Sequence, residues 1–327
     1  MEQLLKNSKV LVTGGAGFIG SNLVESLLLS GNNVVCLDNF STGKKENLKD
    51  FISNPQFKLI EGDIRDFDSC LNALSGIEIV FHQAALGSVP RSIKDPVTTT
   101  DVNIGGFVKM LFASKEARIK RFIYAASSST YGDNPELPKV EDKIGTPLSP
   151  YAITKYADEL FAANFSKTYG IEIIGLRYFN VFGRRQDPDG VYAAVIPKFV
   201  KMLKNHQSPV IDGDGSHSRD FTYIDNVLQA NHLAALTTKK DAINQIYNVA
   251  HGERTSLNQL FNYIQKSACR FDREVLNIKP LYGPERAGDI PHSQASINKA
   301  KKILGYAPAF NVAEGLEKAI EWFWKNL

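Results

Sequence analysis

Tyr151 and Lys155 stand four residues apart in Ser149-Pro150-Tyr151-Ala152-Ile153-Thr154-Lys155, and Ser127 opens a run of hydroxyls 24 positions before Tyr151. Together these residue types make a proton-transfer set. Residues at i and i+4 share one face of a helix, and Ser149 with Pro150 makes a helix entry, so phenol and ammonium are placed to reach one site. An ammonium within ~4–6 Å favours a phenolate over a phenol, which makes a tyrosine a base near neutral pH. The spacing alone carries little weight. With 12 tyrosines in the chain, about one Tyr-x-x-x-Lys arises by chance.

Specificity comes from what precedes the pair. Gly14-Gly15-Ala16-Gly17-Phe18-Ile19-Gly20 follows the strand-like run Val10-Leu11-Val12-Thr13 and leads into a helical pattern. Glycines there permit a tight turn and let backbone amides approach a pyrophosphate at a helix N-terminus. Asp38, 18 residues after Gly20, closes the second strand where a carboxylate accepts hydrogen bonds from both adenosine ribose hydroxyls. It would repel a 2′-phosphate, so NAD is expected over NADP. Asp63 and Ile64 follow the third strand, where they flank an adenine or, in the case of Asp63, cap the next helix. Gln83-Ala84-Ala85 sets small residues where backbone must lie close to the cofactor.

The elements positioning these residues read as α/β. Apolar, β-rich runs at 10–13, 34–38, 57–60, 79–82, 121–124 and 171–176 alternate with helical patterns at 22–29, 105–116 and 151–169, the signature of a Rossmann-type, doubly wound parallel sheet. After Phe182 the texture becomes loop-rich. We divide the chain into a dinucleotide-binding domain over 1–182 and a smaller mixed α/β substrate domain over 183–327. Segments near 220–250, among them Ile246-Tyr247-Asn248-Val249, are expected to return to the sheet. Further helices are expected at 195–205, 257–266, 297–304 and 312–324.

Composition narrows the partners. The 327 residues are 43% hydrophobic and 22% charged, ordinary for a globular enzyme, and a net charge of +3 offers no field for nucleic acid. The six histidines lack metal-ligand spacing, so no metal is expected, and Cys36, Cys70 and Cys269 read as reduced thiols. No apolar stretch approaches a membrane span and the start is short and polar, so a cytoplasmic location is expected.

In order, the glycine turn, Asp38, His82-Gln83-Ala84-Ala85, Ser127-Ser128-Ser129-Thr130-Tyr131-Gly132, Tyr151-x-x-x-Lys155 and Arg177-Tyr178-Phe179-Asn180-Val181-Phe182-Gly183 strongly resemble the nucleotide-sugar branch of the extended short-chain dehydrogenase/reductases. The resemblance covers essentially the whole chain. Within that branch the sequence is most similar to UDP-hexose 4-epimerases, specifically the bacterial subgroup acting on UDP-N-acetylglucosamine and UDP-N-acetylgalactosamine in surface-polysaccharide and O-antigen synthesis. Ser128 and Ser129 stand where related dehydratases carry an Asp-Glu pair, and no glutamate occurs in this run before Glu136, where decarboxylases carry one.

The resemblance implies that Tyr151 takes the proton of the sugar 4-hydroxyl as the C4 hydride passes to NAD. Lys155 holds the ribose and keeps Tyr151 acidic, and Ser127 hydrogen-bonds the reacting oxygen. NAD is regenerated each turnover and stays tightly bound. Its contacts are expected from Gly14, Gly17, Phe18, Ile19, Gly20, Asp38, Asn39, Asp63, Ile64, Gln83, Ala84, Ala85, Tyr178 and Val181, with Tyr151 and Lys155. The UDP-sugar contacts carried over are Gly87, Ser88, Ser128, Ser129, Asn180, Gln186, Ala194, Lys198, Arg219, Arg286, Asp289 and Ser293. Small residues at Gly87, Ser88 and Ser293, with Gln186 and Ala194, match the N-acetyl-preferring subgroup. UDP-uronates or UDP-glucose are the alternative substrates, with Arg91 or Lys198 meeting a C6 carboxylate. A net oxidoreductase and a non-catalytic NAD-binding regulator are the competing classes. The family commonly forms homodimers through the helices at 105–116 and 151–169.

Overall fold

The computed structural model of the chain describes residues 3–189, 194–285 and 290–327. Six strands, β1 (Lys9–Thr13), β2 (Asn33–Asp38), β3 (Phe57–Glu61), β4 (Ile79–His82), β5 (Arg121–Ser127) and β6 (Glu172–Tyr178), join an edge strand, Gln245–Val249, in one seven-stranded sheet. Every pairing in it is parallel. The order is edge strand, β6, β5, β4, β1, β2, β3, so the chain reverses direction of growth between β1 and β4. That reversal opens a crevice at the carboxyl ends of the strands.

Both sheet faces are covered, which is why these strands read as apolar runs rather than alternating ones. Val10 and Val12 point into one core cluster and Leu11 into the other, as the two-residue period of a strand demands. β5 and β6 extend beyond the expected 124 and 176. Ala125, Ala126 and Ser127 continue the ladder opposite Leu176, Arg177 and Tyr178; small and polar residues are held there by pairing with β6 rather than by their own β-propensity.

The helices are α1 (Phe18–Leu29), α2 (Phe67–Ala73), α3 (Val89–Lys94), α4 (Pro96–Thr100), α5 (Phe107–Glu116), α6 (Pro150–Tyr169), α7 (Val195–Lys204), α8 (Ile224–Leu236), α9 (Leu257–Ala268) and α10 (Val312–Asn326). α1 begins four residues before the expected Asn22, because Gly17 itself is its N-cap. α6 opens as its sequence dictates: the Ser149 side chain accepts from Ala152 N, Pro150 occupies the first turn, and Gly170 closes the helix at φ 72°. The helix expected from residue 105 instead starts at Phe107, after a π-helical stretch over Asp101–Gly106. A Cβ on Gly106 would lie 2.5 Å from Ile64 Cδ1, so the glycine lets this turn close on the loop after β3. The expected helix at 297–304 is likewise π-helical over Ala300–Leu304.

α7, α9 and α10 are amphipathic and pack against one another, burying Phe199, Leu203, Leu260, Leu316 and Phe323. Two short strand pairs lie outside the main sheet: parallel Val181–Phe182 with Thr222–Tyr223, and antiparallel Ser218–Arg219 with Thr255–Ser256. No helix among the described residues is long and apolar enough to cross a membrane.

Candidate active site

The crevice at the carboxyl ends of the strands is a cavity of about 540 Å³. Its lining gathers Gly14 and Gly20 from the β1–α1 turn, Asp38 from β2, Gln83 after β4, Ser127 from β5, Tyr151 and Lys155 from α6, and Tyr178 from β6. Sheet topology therefore brings together residues that lie far apart in the chain.

The glycine turn is a cradle that larger residues would fill. Gly14 sits at φ +68°, and a Cβ there would meet the Ala84 backbone at 2.7 Å. On Gly20, a Cβ would lie 2.1 Å from the Gly14 carbonyl oxygen. α1 starts on Gly17 with no side-chain cap and no acidic residue in its first turn, which leaves its leading amides and positive end available to an anion.

Asp38 is buried, and its two oxygens accept from Ala16 N at 2.9 Å and Phe40 N at 2.8 Å. Burial raises its carboxyl above the usual range, and the two amides oppose that shift. The remaining lone pairs suit hydroxyl donors and exclude a phosphate. Asp63 lines the same end of the cavity and does not cap α2; Asp66 does, accepting from Asp68 N. Bidentate hydrogen bonds from Arg65 hold the Asp63 carboxyl down to about 2, and Asn39 donates to it at 2.8 Å.

At the opposite end, Ser127 Oγ accepts from both the backbone N and the Oγ of Ser129, at 3.2 and 2.9 Å. With its acceptor sites engaged, the Ser127 proton is the one left to donate. Ser128 and Ser129 do not line the cavity; Ser129 orients Ser127 from behind. Lys155 Nζ, on a nearly buried side chain, donates to Ala125 O at 3.1 Å and to Asp158 Oδ2 at 3.2 Å. Gln83 Nε2 donates to Tyr178 OH at 3.3 Å, while Gln83 Oε1 is buried without a partner among the described residues. A buried orphan acceptor on a cavity wall calls for a ligand donor.

Sequence reasoning passed over Asn103. Its amide donates to Thr154 Oγ1 at 3.0 Å, and its Oδ1 accepts from Leu86 N at 2.8 Å. The π-helical turn thereby clamps the first turn of α6, which carries Tyr151, to the loop after β4. Consecutive Gly105 and Gly106 inside a helical pattern were the available signal.

A second cavity of about 270 Å³ shares Asn180 and Val181 with the first and is lined by Gln186, Ala194 and Arg219. Asp212, His217, Phe221 and Leu257 also line it; none of these four was singled out from the sequence. Asn180, at φ +36°, donates to Asp220 O at 3.0 Å. Gly87 and Ser88 line the main cavity. Lys198 is exposed on α7 and lines neither cavity. Ser293 also lines neither; its backbone N donates to Ser218 O at 3.0 Å, beside Arg219. Arg286 and Asp289 lie outside the described residues.

Residues 10–250 match the model of the NAD dependent epimerase/dehydratase family. The chain belongs to that family. A UDP-N-acetylglucosamine 4-epimerase from Methanobrevibacter ruminantium M1, solved with UDP-N-acetylmuramic acid, is 40% identical and superposes with a TM-score of 0.91, covering 99% of this chain and 100% of that one. A UDP-glucose 4-epimerase of Mycolicibacterium smegmatis is 36% identical over 317 residues, 96% of this chain and 98% of the relative. A UDP-glucuronic acid 4-epimerase from Bacillus cereus, solved with UDP-glucuronic acid and NAD, is 32% identical with a TM-score of 0.86, over 98% and 100% of the two chains.

NAD is the cofactor of this epimerase/dehydratase family member, and the cavity fits it. The glycine cradle and the uncapped start of α1 suit a pyrophosphate, Asp38 suits a ribose diol, and the orphaned Gln83 Oε1 suits a donor at the other end.

Proposed function

We propose that the chain is a UDP-sugar 4-epimerase whose substrate pair is UDP-N-acetylglucosamine and UDP-N-acetylgalactosamine. The observation that carries this reading is the distribution of acids around the cavity. Among its described lining residues the carboxylates are Asp38 and Asp63, both at the β2–β3 end, while the α6 end presents Ser127, Tyr151, Lys155 and Tyr178 and no carboxylate. Eliminating water from a sugar needs an acid for the leaving hydroxyl as well as a base. Moving one proton off and back onto a single oxygen needs only the set present here.

In this reading Tyr151, as phenolate, accepts the proton of the sugar 4-hydroxyl, and Ser127 donates a hydrogen bond to the same oxygen. The Lys155 ammonium, held by Ala125 O, stabilises the phenolate electrostatically. NAD, when bound, supplies the redox chemistry that takes up the C4 hydrogen and gives it back. After the 4-keto sugar has turned within the site, Tyr151 returns its proton to O4 and the epimer leaves. The second cavity, which shares Asn180 and Val181 with the first, takes the diphosphate near Arg219.

The N-acetyl preference is supported by open space beside Gly87, where no described atom beyond its own chain neighbours lies within 4 Å of the place a Cβ would occupy. Small side chains at Ser88 and Ala194 line the two cavities. Lys198 lies outside both, which weighs against it as a partner for a C6 carboxylate. Comparing kcat/KM for UDP-N-acetylglucosamine, UDP-glucose and UDP-glucuronate tests the assignment. UDP-N-acetylglucosamine is expected to lead by about tenfold or more, a difference of about 1.4 kcal/mol; a higher value for either other sugar reassigns the substrate.

We further infer that two copies pair through α5 and α6. Phe112, Ile153, Leu160 and Phe161 are 39%, 54%, 56% and 38% exposed on these helices, and Ile153 and Leu160, seven apart, share one face. Sedimentation is expected to give a dimer for the native protein and a monomer for Leu160→Asp; a native monomer contradicts the pairing.

A further inference from the structure

Paired with Lys155, but not among the residues lining the cavity, stands a carboxylate that the proton-transfer scheme does not use. Asp158 is fully buried on α6, three residues beyond Lys155, and its Oδ2 receives the ammonium at 3.2 Å. Its Oδ1 has no hydrogen-bond partner among the described residues. Leaving a buried polar atom unsatisfied costs about 1–3 kcal/mol, more for a charged group, and a small apolar residue at this position would avoid that cost. Burial pushes the Asp158 carboxyl up to about 7, against the opposing pull of Lys155.

Among the described residues the surrounding charges are few. On α6 itself, Lys155 and Glu159 face Asp158, and Glu159 is neutralised by a bidentate pair with Arg177 of β6. From β5, the buried Tyr124 interacts with Asp158 and Glu159. From β4, His82 interacts with Lys155, and burial holds its imidazole down to about 3, hence neutral. Asp158 is thus the anion paired directly with the ammonium.

We propose that Asp158 is a positioning residue that anchors the Lys155 ammonium on the cavity wall it shares with Tyr151 and moderates the positive field Lys155 exerts there. This rests on the reading of Tyr151 as the base. When Asp158 is ionised it offsets part of the Lys155 charge; when it is protonated or replaced by a neutral residue, Tyr151 feels more of that charge. The sign follows. A stronger positive field favours the phenolate, so removing the Asp158 charge moves the rising limb of the pH–rate profile to lower pH.

The test is the pH dependence of kcat for the NAD-loaded enzyme with a UDP-sugar, comparing native, Asp158→Asn and Tyr151→Phe proteins. For Asp158→Asn the rising limb is expected about 1 pH unit lower, with KM within about threefold of native. A purely structural role would scale kcat by one factor at every pH and leave the limb in place; that result, or a shift to higher pH, overturns the proposal. Should Asp158→Asn fail to fold, Asp158→Ser, also neutral, is read by the same criterion. The Tyr151→Phe arm separates the two claims: substantial activity there removes the base assignment, whereas an inactive Tyr151→Phe with an unshifted Asp158→Asn profile removes the Asp158 role alone.

Discussion

Tyr151→Phe is expected to lower kcat about 10²–10⁴-fold, the range lost with a positioned general base, equivalent to about 3–5 kcal/mol of barrier. The substitution deletes one oxygen from a half-buried ring at the start of α6, so the unfolding temperature should stay close to native. Among the described residues no neighbouring group stands in for it. Tyr178 is the other phenol among the described lining residues, but its hydroxyl accepts from Gln83 and Asn231, and burial pushes it up to about 12. Ser127 is engaged by Ser129 and lacks a base of its own. Steady-state kinetics with a UDP-sugar, beside a thermal melt, checks this; retention of more than about a tenth of kcat contradicts the assigned role.

The second large effect falls on stability. Arg177 is buried on β6, with Nε and Nη2 each 2.7 Å from a Glu159 carboxylate oxygen and Nη1 2.9 Å from Glu141 O. Its guanidinium also lies 4.8 Å from the Tyr131 ring centroid. Tyr131 donates to Asn248 Oδ1 at 2.7 Å, and Asn248 N donates to Glu141 Oε1 at 2.9 Å. One cation therefore links α6, β6, the loop after the serine run and the edge strand. Arg177→Met leaves Glu159 charged and buried without its partner, which costs about 3–5 kcal/mol, a drop in Tm on the order of 10 °C. Replacing both partners, as Arg177→Met with Glu159→Leu, should recover part of that loss, because no charge then remains buried. Calorimetry on the two variants decides; a single variant as stable as native, or a double variant less stable than the single, contradicts the account.

The local parts of this protein were legible in its sequence. Strands buried on both faces announce themselves as apolar runs, the glycine turn shows its spacing, and Ser149-Pro150 marks the helix that carries Tyr151 and Lys155. What escaped depends on approach through space. Asp158 looks like a solvated helix carboxylate until the helix is laid on β5, and Asn103 has no local signal beyond two glycines. Asp212, His217, Phe221 and Leu257 come from separate segments that meet only around the second cavity. Ser293 and Lys198, carried over by resemblance, lie off both cavity linings, because position in a motif does not fix where a loop or an exposed helix face points. Arg177 was visible in its motif, yet its ion pair with Glu159, 18 residues earlier, required the packing of α6 against β6.

The most direct test of the central claim, a reversible 4-epimerisation in which C4 loses and regains its own hydrogen, is a mass measurement. The purified protein is incubated with UDP-N-acetylglucosamine in heavy water, with no NAD added, and the product is analysed for identity and deuterium. The account predicts UDP-N-acetylgalactosamine with no deuterium at carbon. Deuterium at C4, a dehydrated sugar, or no conversion even with NAD supplied would contradict it.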